Sequence, residues 1–406
     1  MTLERSKPAA SALWEVGGSN TAESCWPDSR QELLLRAALL RGEDALGAWR
    51  QWRRHADINE IDAGSFRLLP LLYANLRDAS CEDDLMGLLK GVYRNAWYKN
   101  QLLFHRAAEV LSSLRQAGVE TIVLKGIALT RLYYRNMGLR YMDDVDLLVR
   151  PRRAIEAMNV LRATGWRAAN RSPEALLGYE HAADFGDGAG RKVDLHWRVM
   201  WEGRPSADEG DLWEASVPLN VGGVETRALC AADQLLHVCV HGANWNPVPP
   251  LRWVADATMI MRGSAPVDWP RLVEQARKRQ LTLLAGETLD YLRRLLDAPV
   301  PEGTITALKE VPVSRRERLF FRIRTRRDPS LRRLPVLWHW YDSFRLASEE
   351  VSLPARTVGF LKYLQSLWGG ERLRDLPLLI IYKGARAAAG VVNSYAQGRF
   401  RPRRAA

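Results

Sequence analysis

The sequence predicts an α/β (α+β) protein, a small mixed β-sheet core flanked by N-terminal and C-terminal helical regions. Three observations predict it. The short β-branched apolar run Thr121-Ile122-Val123-Leu124 meets Lys125-Gly126 and then a breaker-free helical stretch, Ile127 to Tyr134. A second run, Asp143 to Val149, alternates Asp144 and Asp146 with Val145, Leu147 and Val149, which is the period of a strand. On both sides of these runs apolar residues recur every three or four positions, the period of amphipathic helices.

In chain order, residues 1–28 are polar with Pro, Gly and Ser, and read as a poorly ordered leader. Residues 29–98 form a helical region, with Leu33, Leu34, Ala37 and Leu40, and later Leu85, Leu88 and Leu89, at helical spacing. The core is expected over 99–227. It opens with an amphipathic helix, Gln101 to Gln116, which Gly118 stops. After the two central strands, Pro151 starts a helix whose apolar face is Ile155, Met158 and Leu161 and which ends at Gly165. A weak strand follows at Trp166 to Ala169. Ala182 to Phe185 and Lys192 to Val199 then flank the turn 186–190 as a hairpin, giving four or five short strands in all. A C-terminal helical region is expected over 228–345. It contains Ala231 to His241, a break at Asn246 to Pro250, Leu251 to Met261, and one or two helices in Trp269 to Leu296. Residues 346–406 read as a helical extension with a basic tail.

Composition narrows the function classes. With 406 residues and 47% hydrophobic content the chain can bury a core of two or three domains. Its four cysteines, Cys25, Cys81, Cys230 and Cys239, form no CxxC pair or disulfide framework and read as reduced thiols of a cytoplasmic protein. No signal-like start and no 18-residue apolar run is present; the best candidate, Leu376 to Tyr382, is short. A net charge of +12 points to anionic partners such as nucleotides, nucleic acid or a membrane surface. The excess is uneven, with nine Arg between Ser314 and Arg333 and four more among Arg399, Arg401, Arg403 and Arg404. The 314–333 cluster has few interleaved aromatics for base stacking and reads first as a solvated face.

The residues that carry chemistry lie in the core. Side chains two apart on a strand leave the same face, so Asp144 and Asp146 present their carboxylates together, an arrangement suited to divalent cations. A bare D-x-D is often only a solvated strand end. Its setting here, after Lys125-Gly126 and before Val193-Asp194-Leu195-His196-Trp197, points to a metal site, with Asp143 a neighbour rather than a ligand. Gly126 at a strand-to-helix junction lets a phosphate approach backbone N–H groups. His196 shares the strand face of Asp194, as a substrate contact or a structural hydrogen-bonding group. His237 and His241 have the spacing of a metal pair but no evident third ligand, which favours a buried histidine or an acceptor contact over zinc. Arg252 and Asp256 are spaced as an ion pair.

These motifs together, V-L-K-G with D-V-D-L-L-V, then V-D-L-H-W, L-L-H-V-C-V-H and L-R-W-V-A-D, resemble the bacterial uncharacterised nucleotidyltransferase family of the polymerase-β-like nucleotidyltransferase superfamily. The resemblance runs from about residue 100 to 262. It implies transfer of a nucleoside monophosphate from an NTP to a hydroxyl or phosphate acceptor, with Asp144, Asp146 and Asp194 as the catalytic acids holding two Mg²⁺ ions. It further implies Lys125, Gly126 and Arg140 at the nucleotide phosphates, and His196, His241 and Arg252 at the substrate. Lys125-Gly126 stands where the superfamily has Gly-Ser, and the gap to the acids is longer than usual. The acceptor is a small molecule, sugar, peptide, protein or RNA; similar chains often belong to natural-product or surface-polysaccharide gene sets. The rival readings are a glycosyltransferase, which usually needs a larger doubly wound sheet, an RNA-modifying toxin-like transferase, and a non-catalytic nucleotide-binding module.

Overall fold

The computed structural model describes residues 25–169, 173–178, 180–200, 209–244 and 250–326, and beyond them 338, 341–342, 344–345, 352–367, 374 and 377. The first 24 residues of the expected leader, most of the Asn246–Pro250 break, most of Leu376–Tyr382 and the basic tail lie outside the described residues. The chain is already packed at Cys25, whose N–H donates to the carbonyl of Thr325, and Trp26 lies against Trp253 and Tyr291.

Five helices come first: α1 Ser29–Leu39, α2 Gly42–His55, α3 Ala63–Phe66, α4 Leu69–Asp78 and α5 Met86–Gln116. Asp28 starts α1 with a capping box shared with Gln31. The sequence divides α5 at residues 98/99, but it is one helix of 31 residues. The polar step that suggests a boundary is Asn100. It is buried, and its amide donates to the carbonyls of Met137 and Arg140, so a polar side chain at mid-helix serves tertiary structure.

The core follows as β1 Thr121–Val123, α6 Lys125–Leu129 running into a π-turn at Thr130–Tyr134, β2 Asp144–Val149, α7 Ala154–Ala163, β3 Arg167–Ala168, β4 Ala182–Gly186 and β5 Lys192–His196. Asp143 precedes the strand instead of opening it and pairs with Arg67. On α7 the buried stripe is Ala154, Ala157, Met158 and Leu161; Ile155 faces water. Then come α8 Gly210–Glu214, β6 Val217–Val221 and β7 Val224–Ala228. The last two strands form a hairpin absent from the sequence reading. Gly222 and Gly223, at φ of +58° and +87°, supply the two positive φ values of its two-residue turn. Among the described residues the sheet therefore has seven strands in the order β3-β4-β5-β2-β1-β7-β6. Only β2–β5 and β1–β7 pair in parallel, so it is mixed and small, not doubly wound.

Among the described residues the C-terminal helices are α9 Ala231–Gly242, α10 Arg252–Met261, α11 Trp269–Arg279, α12 Thr282–Leu296, α13 Glu302–Glu310, α14 Arg315–Thr325 and α15 Leu353–Leu367. The sheet separates two apolar clusters. One face, with Val145, Leu147, Val193 and Leu195, packs under Phe104, Leu111 and Leu114 of α5 and Met158 and Leu161 of α7. The opposite face contributes Ile122 and Leu148 to a cluster that joins α1, α2 and α4 to α9–α13. N-terminal and C-terminal helices thus share one core, tied further by the Tyr291 hydroxyl donating to Glu32 and Arg262 donating to the carbonyl of Leu39. Among the described residues no helix is long and apolar enough to cross a membrane.

Candidate active site

The acids stand where the strand pairing puts them. β2 and β5 run parallel with Asp146 opposite Asp194 and Leu148 opposite His196, so these polar side chains share the sheet face that looks toward α9 and α10. Asp184 on β4 is paired with Asp194 and adds a fourth acid to that face, one that sequence reasoning did not single out. Asp144 is at the exposed end of β2, and Asp146 is buried behind it.

Lys125 and His196 neutralise this cluster from two sides. Lys125 Nζ lies 2.8 Å from Asp146 Oδ1. His196 Nε2 lies 2.9 Å from Asp194 Oδ2 and 3.5 Å from Asp146 Oδ1. Burial opposes every charge here, but at Asp146 pairing outweighs it: Lys125 and His196 hold its carboxyl far below the usual range. Burial works against the His196 imidazolium too, but Asp194 and Asp146 raise its pKa to about 9. Asp194 is lowered, burial being outweighed by His196, whereas Asp144 is raised by desolvation and by the charge of Asp146. Lys125 holds a left-handed backbone conformation at φ +42°, a strain of about 1–3 kcal/mol that the surrounding contacts must support.

Asp146, Asp194 and His196 each offer a ligand atom, all within 4.8 Å of one another. His196 is 1% exposed, and neither ring nitrogen makes a hydrogen bond of acceptable geometry despite the close carboxylates. Two carboxylates and an imidazole nitrogen so placed fit a divalent cation. His196, read from sequence as a substrate contact or a structural group, is buried beside the acids, two residues further along β5 than Asp194.

Above the acids, Gly126 has no room for a side chain. A Cβ there would lie 2.8 Å from Met142 Sδ and 3.0 Å from Arg140 Nη1. Arg140 is 4% exposed and is held by Asp256, with Nε to Oδ1 at 2.8 Å and Nη2 to Oδ2 at 2.9 Å, leaving Nη1 toward Gly126. Tyr134 donates to the same Asp256 Oδ1 at 2.8 Å. Asp256 therefore pairs with Arg140 and not with Arg252, which lies one turn away on α10. The planar fork of Arg140 binds the carboxylate at two points, while Arg252 Nη1 is drawn to the carbonyl of Tyr141 at 2.9 Å. Burial and the neighbouring charge of Arg140 lower the Arg252 pKa to about 10.

Lys125, Gly126, Arg140, Asp144, Asp146, His241 and Arg252 all line one cleft of about 260 Å³ between the sheet and α9–α10; Asp194 and His196 do not line it and join it through the contact of His196 with Asp146. The cleft also gathers His237, Trp253 and Asp256, together with Arg67 from the α3–α4 link and Arg324 from α14. Arg67 and Arg324 are residues that sequence reasoning missed, since each comes from a segment distant in sequence with no local signal. Arg324 belongs to the 314–333 cluster expected to be solvated, yet it is buried and donates to the carbonyl of Val240 at 2.9 Å. Of that cluster, Arg327, Arg332 and Arg333 lie outside the described residues.

No curated protein matches the chain. Six chains among the solved structures show similarity, two of them as follows. One is the solution structure of the antibiotic-resistance factor ANT(2'')-Ia, at 12% identity and a TM-score of 0.29 over 49% of this chain and 92% of that one. The other is an antigenic nucleotidyltransferase-like protein from Paracoccidioides brasiliensis, at 16% identity and a TM-score of 0.34 over 52% of this chain and 91% of that one. The sequence model of one family matches residues 63–297, which takes in more than half of the chain and every residue of the cleft except Arg324. The chain belongs to the uncharacterised nucleotidyltransferase family.

Proposed function

We propose that the protein transfers a nucleoside monophosphate from an NTP to a hydroxyl or phosphate of an acceptor. The observation that carries this reading is the meeting, in one cleft, of Asp144 and Asp146 of β2 with the Lys125-Gly126 turn and the clamped Arg140, Asp194 and His196 of β5 being clustered with Asp146. In the reaction an acceptor oxygen forms a bond to the α-phosphorus, the bond from that phosphorus to the β-bridging oxygen breaks, and pyrophosphate leaves; the acceptor proton passes to solvent. Divalent metal, Mg²⁺ in this reading and two ions in all, would be held by Asp144, Asp146 and Asp194, with His196 beside them, and would supply charge neutralisation at the phosphates.

The chain's own residues do the rest. Lys125 stays cationic: burial opposes its charge, but Asp146, Asp194 and Asp144 raise its pKa, so it offers a fixed point charge beside the phosphates. Gly126 lets phosphate oxygens approach the N–H groups opening α6, and Arg140 Nη1 faces the same place. Asp194 orients the acceptor oxygen. His241, Arg252 and Trp253 line the opposite wall and contact the acceptor, and Arg252 gives that wall a cation whose carboxylate neighbour is already taken. A cytoplasmic location, where NTPs are supplied, fits the four free cysteines.

The test is calorimetry of the whole protein with each NTP, with and without Mg²⁺, beside an Asp144→Ala/Asp146→Ala double variant. Metal-dependent binding of an NTP that the double variant loses supports the reading and names the donor base. No NTP binding by the intact protein removes it.

A further inference from the structure

A second concavity, of about 580 Å³, shares no lining residue with the cleft. It runs between α5, with Trp97 and Gln101, and the π-turn segment, with Arg131, Arg135 and Asn136. Both banks are free of acids. Met86 to Ala108 contains Lys90, Arg94, Lys99 and Arg106 and no carboxylate, and Lys125 to Met142 contains Arg131 and Arg135 and none either. The flanking acids are engaged: Asp143 with Arg67, and Glu109 with Arg106 and His105.

The same surface holds its aromatics in water. Trp97 is 45% exposed and Tyr98 60%, beside Leu102 at 52%. Trp97 is the only exposed tryptophan among the described residues; Trp49, Trp52, Trp197, Trp213 and Trp253 are all buried. Polar groups with base-edge chemistry lie next to it. The Asn136 carbonyl is fixed by Tyr93 OH and the N–H of Gly138, and Gln101 adds a second amide. Arg135 gives Nη2 to Ser264 Oγ at 2.8 Å, which holds its fork beside the groove.

An aromatic face for stacking, cations without competing acids and amides in a groove is the donor set of single-stranded nucleic acid recognition. Anionic lipid would accept the cations and aromatics, but a concave surface with amides suits a chain of bases better than a flat layer of headgroups. We propose that this groove binds single-stranded nucleic acid, with a base stacked on Trp97 and flanking phosphates on Arg131 and Arg135. The groove needs none of the acids, so the proposal stands apart from nucleotidyl transfer.

The experiment is fluorescence anisotropy of the full chain with a fluorescein-labelled 12-nucleotide RNA, its DNA counterpart, the matching duplex, and vesicles containing phosphatidylserine, from 50 to 200 mM salt. Single strands should bind, with affinity falling by about 0.7 log units per log unit of salt for each phosphate contacted. Trp97→Ala should weaken binding on the order of 10- to 100-fold, the range of one base–aromatic stack. Arg131→Gln/Arg135→Gln should lower the salt slope by about 1.4. The Asp144→Ala/Asp146→Ala variant should bind the strand as the parent does. Thermal unfolding of Trp97→Ala, a surface change, should match the parent and so exclude misfolding. The proposal is overturned by no single-strand binding at 50 mM salt, by duplex binding as tight as single-strand binding with Trp97→Ala silent, or by binding to the vesicles alone, which would make the surface a membrane contact.

Discussion

The buried clamp of Arg140 by Asp256 allows a sharp test of how the cleft is held. Asp256 receives three hydrogen bonds, two from the Arg140 guanidinium and one from the Tyr134 hydroxyl. Asp256→Asn keeps the shape and one acceptor but removes the charge. It leaves a guanidinium that is 4% exposed and, despite the opposing effect of burial, held above its ordinary pKa by that carboxylate. Removing one member of such a pair costs about 3–5 kcal/mol, because the other charge stays buried without its partner. For a chain of this size that lowers the melting temperature by about 4–6 °C. An Arg140→Met/Asp256→Leu double variant removes both ions and should recover most of the loss, since apolar replacements of a whole buried pair are often neutral. Urea unfolding followed by circular dichroism measures both. NTP binding, read by calorimetry, should stay weak in the stable double variant, because Nη1 no longer points at Gly126. A single variant within about 1 kcal/mol of the parent, or a double variant no better than the single, would refute the reasoning.

Three further outcomes follow from the same geometry. Gly126→Ala sets a methyl against Met142 and the clamped Arg140, and should cost about 1–3 kcal/mol of stability and roughly tenfold in NTP affinity; unchanged affinity would remove Gly126 from the phosphate site. Glu209, whose carboxyl accepts from the N–H of Val199, has its pKa pushed up to about 7 by burial, with Arg279 opposing. The folded state therefore keeps a proton that the unfolded chain loses near pH 4.5, and stability falls as pH rises from about 4.5 to about 7. Glu209→Gln should be more stable than the parent above pH 7 by up to about 3 kcal/mol and equal to it below pH 4; a pH-independent difference would sink this assignment. His196→Asn should weaken Mn²⁺ binding, followed by electron paramagnetic resonance of the free ion, on the order of tenfold or more while changing Mg²⁺ binding little, since imidazole favours the softer ion. An equal effect on both ions would make His196 a support for Asp194 rather than a ligand.

The part of the site built from neighbours in sequence was legible. Asp144 and Asp146 announce themselves because two acids interrupt a β-branched run at period two, and Asp194 because its strand repeats the pattern. The β6–β7 hairpin carried an equally local signal in Gly222-Gly223, but Pro218, Asn220, Glu225 and Arg227 interrupt the apolar residues of its strands, of which only one face is buried. Helical spacing misled at Arg252 and Asp256. One turn apart they could pair, but Arg140, 116 residues away, offers a bidentate fork, and no pattern in the chain records that. Arg67 and Arg324 were illegible for the same reason. The sequence offers 59 cations, and only the shared core of the N-terminal and C-terminal helices brings these two to the cleft beside Lys125, Arg140 and Arg252.

The unbroken α5 has a consequence for how this protein can vary. It is about 46 Å long and carries the groove aromatics on its first half and the core-facing stripe Phe104, Leu111 and Leu114 on its second. Between them Asn100 grips the loop that ends in Arg140. A rigid screw links these surfaces. One residue added near Asn100 would turn the first half by about 100° and advance it about 1.5 Å, swinging Trp97 out of its groove while the core stays fixed. Seven residues, close to two full turns, would nearly restore the phase but move Trp97 by about 10 Å. Length changes should therefore be tolerated in the loops around α5 and rejected within it, and the pitch of this one helix sets the angular position of the groove relative to the acids.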